Sequence, residues 1–112
     1  MNYEILEVNT PELIDETKIL FREYEMWLNV SLCFQGFEEE VCSLPGKYAP
    51  PDGRLYIVKY DGKYSGCIAL RKIEDGVCEM KRLYLKEELR GKGIGNILVT
   101  KIIKDAKDIG YK

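Results

Sequence analysis

Histidine is absent from this 112-residue chain, tryptophan occurs once, and the four cysteines show no C-x-x-C spacing. The first absence removes any imidazole base, and together with the third it removes the usual ligand sets of a zinc site, so no metal is expected. Charge of one sign is not in excess either. Seventeen Lys and Arg stand against nineteen Asp and Glu, a net −2, so no basic field points to nucleic acid as a partner. Long apolar runs are missing as well. The opening residues Met1-Asn2-Tyr3-Glu4 are neither basic nor followed by an apolar stretch, and no segment approaches the ~20 residues of a membrane span. The expectation is a cytoplasmic protein that does not engage a membrane. In that compartment Cys33, Cys42, Cys67 and Cys78 are expected as buried free thiols rather than two disulfides. No repeat or low-complexity segment is present, and residues 1–112 read as a single domain with one small core.

What is present is periodic. Tyr3 to Val8 reads as a strand with Tyr3 and Ile5 on one face and Leu6 and Val8 on the other. Thr10-Pro11-Glu12 combines a capping side chain, a proline suited to the first helical position and an acid near the positive end of the helix dipole. The apolar spacing from Leu13 through Leu20, Phe21, Tyr24 and Trp27 carries that helix to about Asn29. A shorter helix is predicted over Phe37 to Ser43, then a loop over Lys47 to Gly53. Leu55–Tyr60, Lys63–Ile73 and Val77–Lys86 read as strands joined by Asp61-Gly62 and Asp75-Gly76, which signal two-residue hairpin turns. Counting from those turns sets Leu55 opposite Ile68 and Ile68 opposite Leu83. It likewise sets Tyr56 opposite Cys67, Cys67 opposite Tyr84, and Glu79 opposite Lys72. Apolar residues on both faces of this meander predict that both are covered. A last helix has Ile94, Ile97, Leu98, Ile102, Ala106 and Ile109 on one face and Gly110 as its stop.

Between the last strand and that helix lies Arg90-Gly91-Lys92-Gly93-Ile94-Gly95. Glycines at alternate positions let several amide N–H groups approach one anion closely, and the helix that follows adds its own free N–H groups. Arg90 and Lys92 add charge at the rim, and each charge-assisted hydrogen bond there contributes ~1.5–3 kcal/mol before the cost of ordering a ligand. The dinucleotide fingerprint fails because it needs glycine at Asn96, and no Walker sequence G-x-x-x-x-G-K-[ST] occurs. On glycine content alone, a plain strand-to-helix connection remains open beside a pyrophosphate cradle.

The larger stretch Glu79-Met80-Lys81-Arg82-Leu83-Tyr84-Leu85, a four-residue link, then R-G-K-G-I-G and an amphipathic helix resembles the signature of the GNAT superfamily of acyl-CoA-dependent N-acyltransferases. That signature is [RQ]-x-x-G-x-[GA], matched by Arg90, Gly93 and Gly95. The resemblance covers essentially the whole chain. It implies an α/β (α+β type) fold with a mixed, largely antiparallel sheet flanked by helices, in the order β-α-α-β-β-β-α. It also implies acetyl-CoA as cosubstrate and a small-molecule or peptide primary amine as acceptor. The main chain of Leu83, Tyr84 and Leu85 would pair with the pantetheine arm, and the amides of Gly91, Lys92, Gly93, Ile94, Gly95 and Asn96 would hold the pyrophosphate, with Arg90 beside them.

Amine acylation needs a neutral nucleophile, and an alkylammonium with pKa ~10 costs about 4 kcal/mol to deprotonate at pH 7. With no histidine the base candidate is a carboxylate, and the resemblance marks Glu79, six residues before Leu85. Its alternative is an ordinary cross-strand pair with Lys72. Tyr64 and Tyr84 read as packing residues and Glu38-Glu39-Glu40 as a solvated helix face. As an alternative, that acidic run with Trp27, Phe34 and Phe37 could line an acceptor site. Family members continue past this helix with a fifth strand, a further helix and a tyrosine acid, so the resemblance implies a C-terminally truncated domain. A homodimer completing the sheet, or a non-catalytic CoA-binding or oligomerisation module, stands as the alternative reading of the chain.

Overall fold

The computed structural model describes residues 3–28 and 37–111, and the side chains of Phe37 and Glu38 lie outside that description. The elements run β1 (Tyr3–Glu7), α1 (Pro11–Leu28), α2 (Phe37–Cys42), β2 (Arg54–Tyr60), β3 (Lys63–Glu74), β4 (Val77–Leu85) and α3 (Ile94–Ile109). The expected order β-α-α-β-β-β-α is observed. Two 3-10 turns, Gly46–Tyr48 and Glu87–Leu89, are added, and the first replaces part of the loop expected over Lys47 to Gly53. Its Tyr48 is buried in the core, so this stretch folds back to fill space and does not run over the surface. The end of the first helix at Asn29, together with Cys33 and Phe34, falls outside the described residues.

Thr10 caps α1 as its chemistry predicts: the Leu13 N–H donates to Thr10 Oγ1 at 3.2 Å. Thr17, Leu20 and Phe21 form the buried stripe of this helix, and the Thr17 hydroxyl donates to the Leu13 carbonyl at 2.7 Å. On α3 the stripe is Ile94, Leu98 and Ile102, while Ile97, expected with them, is 39% exposed. At ~100° per residue Ile97 lies roughly 120° from the centre of the stripe that runs through Ile94, Leu98, Ile102 and Ala106. Gly110 ends the helix at φ +117°, donating to Ala106 and Lys107 carbonyls while Tyr111 N–H reaches Ala106 O at 2.9 Å.

The described strands form an antiparallel sheet in the order β1-β2-β3-β4. Helices α1 and α2 cover one face, over Ile57, Cys67 and Ala69, and α3 covers the other, over Val58, Ile68 and Leu70. Both faces are covered, as the two-sided apolar pattern required. Cys67 and Cys78 belong to opposite faces and are free; Cys67 is buried, but Cys42 is exposed, against the expectation of a buried thiol there.

Register departs from simple counting because three bulges interrupt the ladders. Ser65 is an extra residue on β3, so Leu55 faces Ala69 and Tyr56 faces Ile68, not Ile68 and Cys67. At the second hairpin Asp75 keeps a negative φ and only Gly76 is left-handed, at +78°. That is a glycine bulge in place of a two-residue mirror-image turn, and it leaves Ile73 as an extra residue on β3. Glu79 therefore faces Arg71, and Lys72 faces Cys78. A third bulge, at Arg82-Leu83 on β4, offsets the second. Cys67 then faces Tyr84 as counting predicted, whereas Leu83 is not squarely opposite Ile68.

Candidate active site

The chain enters the glycine loop from β4 through the Glu87–Leu89 turn, whose Leu89 is fully buried against Ile94 and Leu98. Gly91 and Gly93 adopt φ of +78° and +80°, a conformation that costs an L-residue about 1–2 kcal/mol. A Cβ at either would meet no atom within 4 Å, so the need for glycine there is conformational and the space before the loop is open. Gly95 is different: it is helical, and a Cβ there would rest against Leu85 at an ordinary 3.5 Å. The first helical bond of α3 runs from Ile97 N–H to Gly93 O at 3.2 Å. The N–H groups of Gly93, Ile94, Gly95 and Asn96 are thus the four that a helix start leaves without an intrahelical partner.

Arg90 turns back on the strand. Its Nε donates to the Leu85 carbonyl at 2.9 Å, and its guanidinium lies 5.0 Å from the centre of the Trp27 ring. Lys92 Nζ stands 6.0 Å from the Tyr60 ring centre, on the other side of the loop. Trp27 in turn packs on Tyr84 at 5.8 Å between ring centres. The Tyr84 hydroxyl donates to Glu23 Oε1 at 3.3 Å, and Lys86 Nζ approaches Glu23 Oε2 at 3.6 Å. Burial, then the charge of Glu23, raises the Tyr84 phenol above its usual pKa. Tyr84 and Tyr64 are packing residues, as their sequence context suggested.

Strand β4 is the edge of the described sheet beside this loop. The Lys86 N–H donates to Ser65 O at 2.8 Å, and antiparallel pairs alternate, so Cys67–Tyr84 is also a hydrogen-bonded pair. The Tyr84 main chain is therefore turned to β3 and committed there. This corrects the grouping of Tyr84 with its neighbours as main-chain partners of a ligand. Leu83 and Leu85 point theirs to the free edge, where Arg90 already holds the Leu85 carbonyl.

A groove of about 800 Å³ opens on the α1–α2 side of β4, lined by Glu39, Glu40, Tyr48, Arg71, Glu79, Lys81, Arg82 and Leu83 among others. Arg82 is the conformational outlier of the strand, at φ +59° within its bulge. Its side chain is 2% exposed and grips Glu40 with two bonds, Nε to Oε2 at 2.8 Å and Nη2 to Oε1 at 2.9 Å. Glu40 is thus no solvated helix residue, because α2 presses it onto this guanidinium; Glu39 stays exposed. Burial and the neighbouring Glu40 raise the Tyr48 phenol far above its ordinary range. Glu79 pairs with Arg71, Nε to Oε1 at 3.0 Å, and its side chain remains 41% exposed to the groove. The bulge sets Glu79, Lys81 and Tyr84 on one face; without it Tyr84 would fall on the other face from Glu79 and Lys81. Trp27 lies against Tyr84 and Arg90, and Phe34 and the Phe37 side chain fall outside the described residues.

Arg82, Arg71 and Lys81 were not singled out from sequence, whereas Glu39 and Glu40 belong to the acidic run read there as a solvated face or, alternatively, an acceptor-site lining, and both line the groove. Two consecutive cations, Lys81-Arg82, inside an otherwise apolar strand end were the available signal. Among the described residues no cluster of His, Cys, Asp and Glu could hold a metal ion, and no helix is long and apolar enough to cross a membrane.

Comparison with known proteins agrees with this geometry. The acetyltransferase (GNAT) family profile matches residues 13–112. An uncharacterized N-acetyltransferase of Dictyostelium discoideum is 34% identical over 93% of this chain and 76% of its own length. One from Schizosaccharomyces pombe is 36% identical over 98% and 69%. Among solved structures, a GNAT-family acetyltransferase of Staphylococcus aureus superposes with a TM-score of 0.78 at 15% identity, over 96% of this chain and 68% of that one. The PaiA N-acetyltransferase of Thermoplasma acidophilum, solved with coenzyme A, gives 0.74 at 23% identity, over 98% and 75%. On the profile match and these relatives, this chain belongs to the acetyltransferase (GNAT) family.

Proposed function

We propose that the chain transfers an acetyl group from acetyl-CoA to a primary amine. One observation carries this reading: the outward main chain of Leu83 and Leu85 ends beside the helix start, where a Cβ at Gly95 would meet Leu85 at 3.5 Å and the amides of Gly93 to Asn96 have no intrahelical partner. An extended pantetheine arm pairs with a strand edge as an added strand would, and its pyrophosphate reaches the helix start that follows. The edge and the groove meet at Leu83, so a thioester lying along β4 opens onto the space that would admit an amine.

In this reading the amine nitrogen attacks the thioester carbon, and the Leu83 N–H stabilises the oxyanion. The tetrahedral intermediate then expels the CoA thiolate, with no covalent enzyme intermediate. Glu79 takes the proton lost by the nitrogen, directly or through water, and Arg71 holds that carboxylate in the groove. Acetyl-CoA calorimetry tests the donor half. Gly93→Val should abolish binding while circular dichroism shows a folded chain; unchanged affinity would remove the loop from the site. A thiol-release assay with a panel of primary amines tests the chemistry. Glu79→Gln should lower turnover much more than acetyl-CoA affinity. Acetyl-CoA binding without turnover of any amine would favour a non-catalytic CoA-binding module instead.

A further inference from the structure

Among the described residues, the groove beside β4 carries more positive than negative charge once its internal pairs are set aside. Arg82 is neutralised by Glu40 and Arg71 by Glu79. That leaves Lys81 and Lys47 against Glu39, which stands on the exposed side of α2. Lys81 is the telling residue. It is half-buried, lies on the groove face opposite Ala69, and makes no ion pair among the described residues. Burial, then the Arg82 and Arg71 guanidiniums, pulls its ammonium below the usual lysine pKa, and Glu40 and Glu79 only partly oppose them. A half-buried ammonium with no ion-pair partner among the described residues is an unfavourable arrangement that an incoming anion relieves.

Its position relative to the reacting centre is fixed by the strand. Lys81 precedes the bulge and stands two residues from Leu83, closer than the ~7 Å a regular strand would give because Arg82 between them is left-handed. An anionic group held by Lys81 leaves an amine a few bonds away within reach of a thioester carbon at Leu83. We infer that the acceptor is a primary amine bearing a carboxylate or phosphate, which the Lys81 ammonium binds in the groove between α2 and β4. The inference rests on the amine-acylating reading above.

Paired acceptors test it: glycine against glycinamide for a carboxylate, and phosphoethanolamine against ethanolamine for a phosphate. With the full chain and saturating acetyl-CoA, the anionic member of at least one pair should show ~tenfold or higher kcat/KM, the scale of one charge-assisted hydrogen bond. The pair with the larger ratio identifies the anion. Lys81→Met should bring that ratio close to one, and Lys81→Arg should restore it. Equal rates within both pairs, or a ratio that survives in Lys81→Met, would overturn the assignment. A second readout does not need turnover. In protein with 13C-dimethylated lysines, the Lys81 resonance, identified by its loss in Lys81→Arg, should move with glycine or phosphoethanolamine and not with their neutral partners. A shift without acetylation would uphold the anion site while removing the acyl-transfer reading; no shift with either anion would overturn the site itself.

Discussion

Replacing Glu40 by alanine should be among the most destabilising single changes in this chain. The Arg82 side chain is 2% exposed and Glu40 16%, and two bonds of 2.8 and 2.9 Å join them. Removing the carboxylate leaves a buried guanidinium without its counter-charge, a loss of about 3–5 kcal/mol for a buried pair. The converse change, Arg82→Met, strands only a carboxylate that the groove already lets water reach, so its cost should be smaller, roughly 2 kcal/mol. The two single losses should therefore differ, Glu40→Ala exceeding Arg82→Met. The double variant should cost well under their sum, with a coupling of ~2 kcal/mol or more. Urea unfolding followed by circular dichroism measures each value from its midpoint at constant slope. For a domain of this size each kcal/mol corresponds to roughly 4 °C in Tm, so Glu40→Ala should melt about 12–20 °C lower. A Glu40→Ala loss below ~1 kcal/mol with negligible coupling would show that the pair behaves as a surface ion pair, and the account of α2 held to the β4 bulge would fail.

Three further outcomes follow from the same geometry. Arg82 sits at φ +59°, so Arg82→Gly should be about 1 kcal/mol more stable than Arg82→Ala, reversing the usual order of glycine and alanine in a strand; the usual order in urea melts would deny the left-handed bulge. Burial holds the Cys67 thiol far above its ordinary pKa, so above pH ~8.5 the folded state binds more protons than the unfolded one and stability falls as pH rises. Between pH 9 and 10, Cys67→Ala should flatten that decline by ~1.4 kcal/mol per pH unit, and parallel urea-derived curves for the two proteins would contradict it. Trp27 is the sole tryptophan and the Arg90 guanidinium lies 5.0 Å from its ring, so Arg90→Met should shift its fluorescence and acetyl-CoA should do so in the unmodified chain; silence in both would detach Trp27 from the loop.

Much of the fold was legible because it depends on signals that act over a few residues. Thr10 and Pro11 start a helix, Gly110 stops one, and alternation in Tyr3 to Val8 sorts two faces without reference to anything distant. The conformation of the glycine loop was legible for the same reason, since the left-handed backbone at Gly91 and Gly93 is one that glycine adopts without strain. What counting missed were the bulges at Ser65, Ile73 and Arg82. A bulge is stabilised by what packs around it, and an arginine in the left-handed region carries no local propensity to announce itself. Arg82 is held there by Glu40, 42 positions away, across a helix whose own sequence reads as solvent-facing. The same non-local cause hid the groove, whose lining comes from α1, α2, the Gly46–Tyr48 turn, Arg71 of β3 and five residues of β4.

The bulges also explain why the groove and the outward strand edge meet where they do. The extra residue at Ile73 displaces Glu79 by one position, to face Arg71 rather than Lys72. Had nothing else intervened, every later residue of β4 would be displaced as well, and Tyr84 would leave the face it shares with Trp27 and Glu23. The bulge at Arg82-Leu83 cancels the displacement at the one point where the strand passes from groove to free edge. Upstream of it, Glu79 and Lys81 project into the groove; beyond Arg82, Leu83 and Leu85 offer their main chain outward, and Arg90 closes the strand end by holding Leu85 O. A regular strand could not present Glu79, Lys81 and Tyr84 on one face. The cost of one arginine in a disfavoured conformation, secured by Glu40, is what lets a single strand carry Glu79, Lys81 and Tyr84 on the groove face and still turn the Leu83 and Leu85 main chain to the sheet edge.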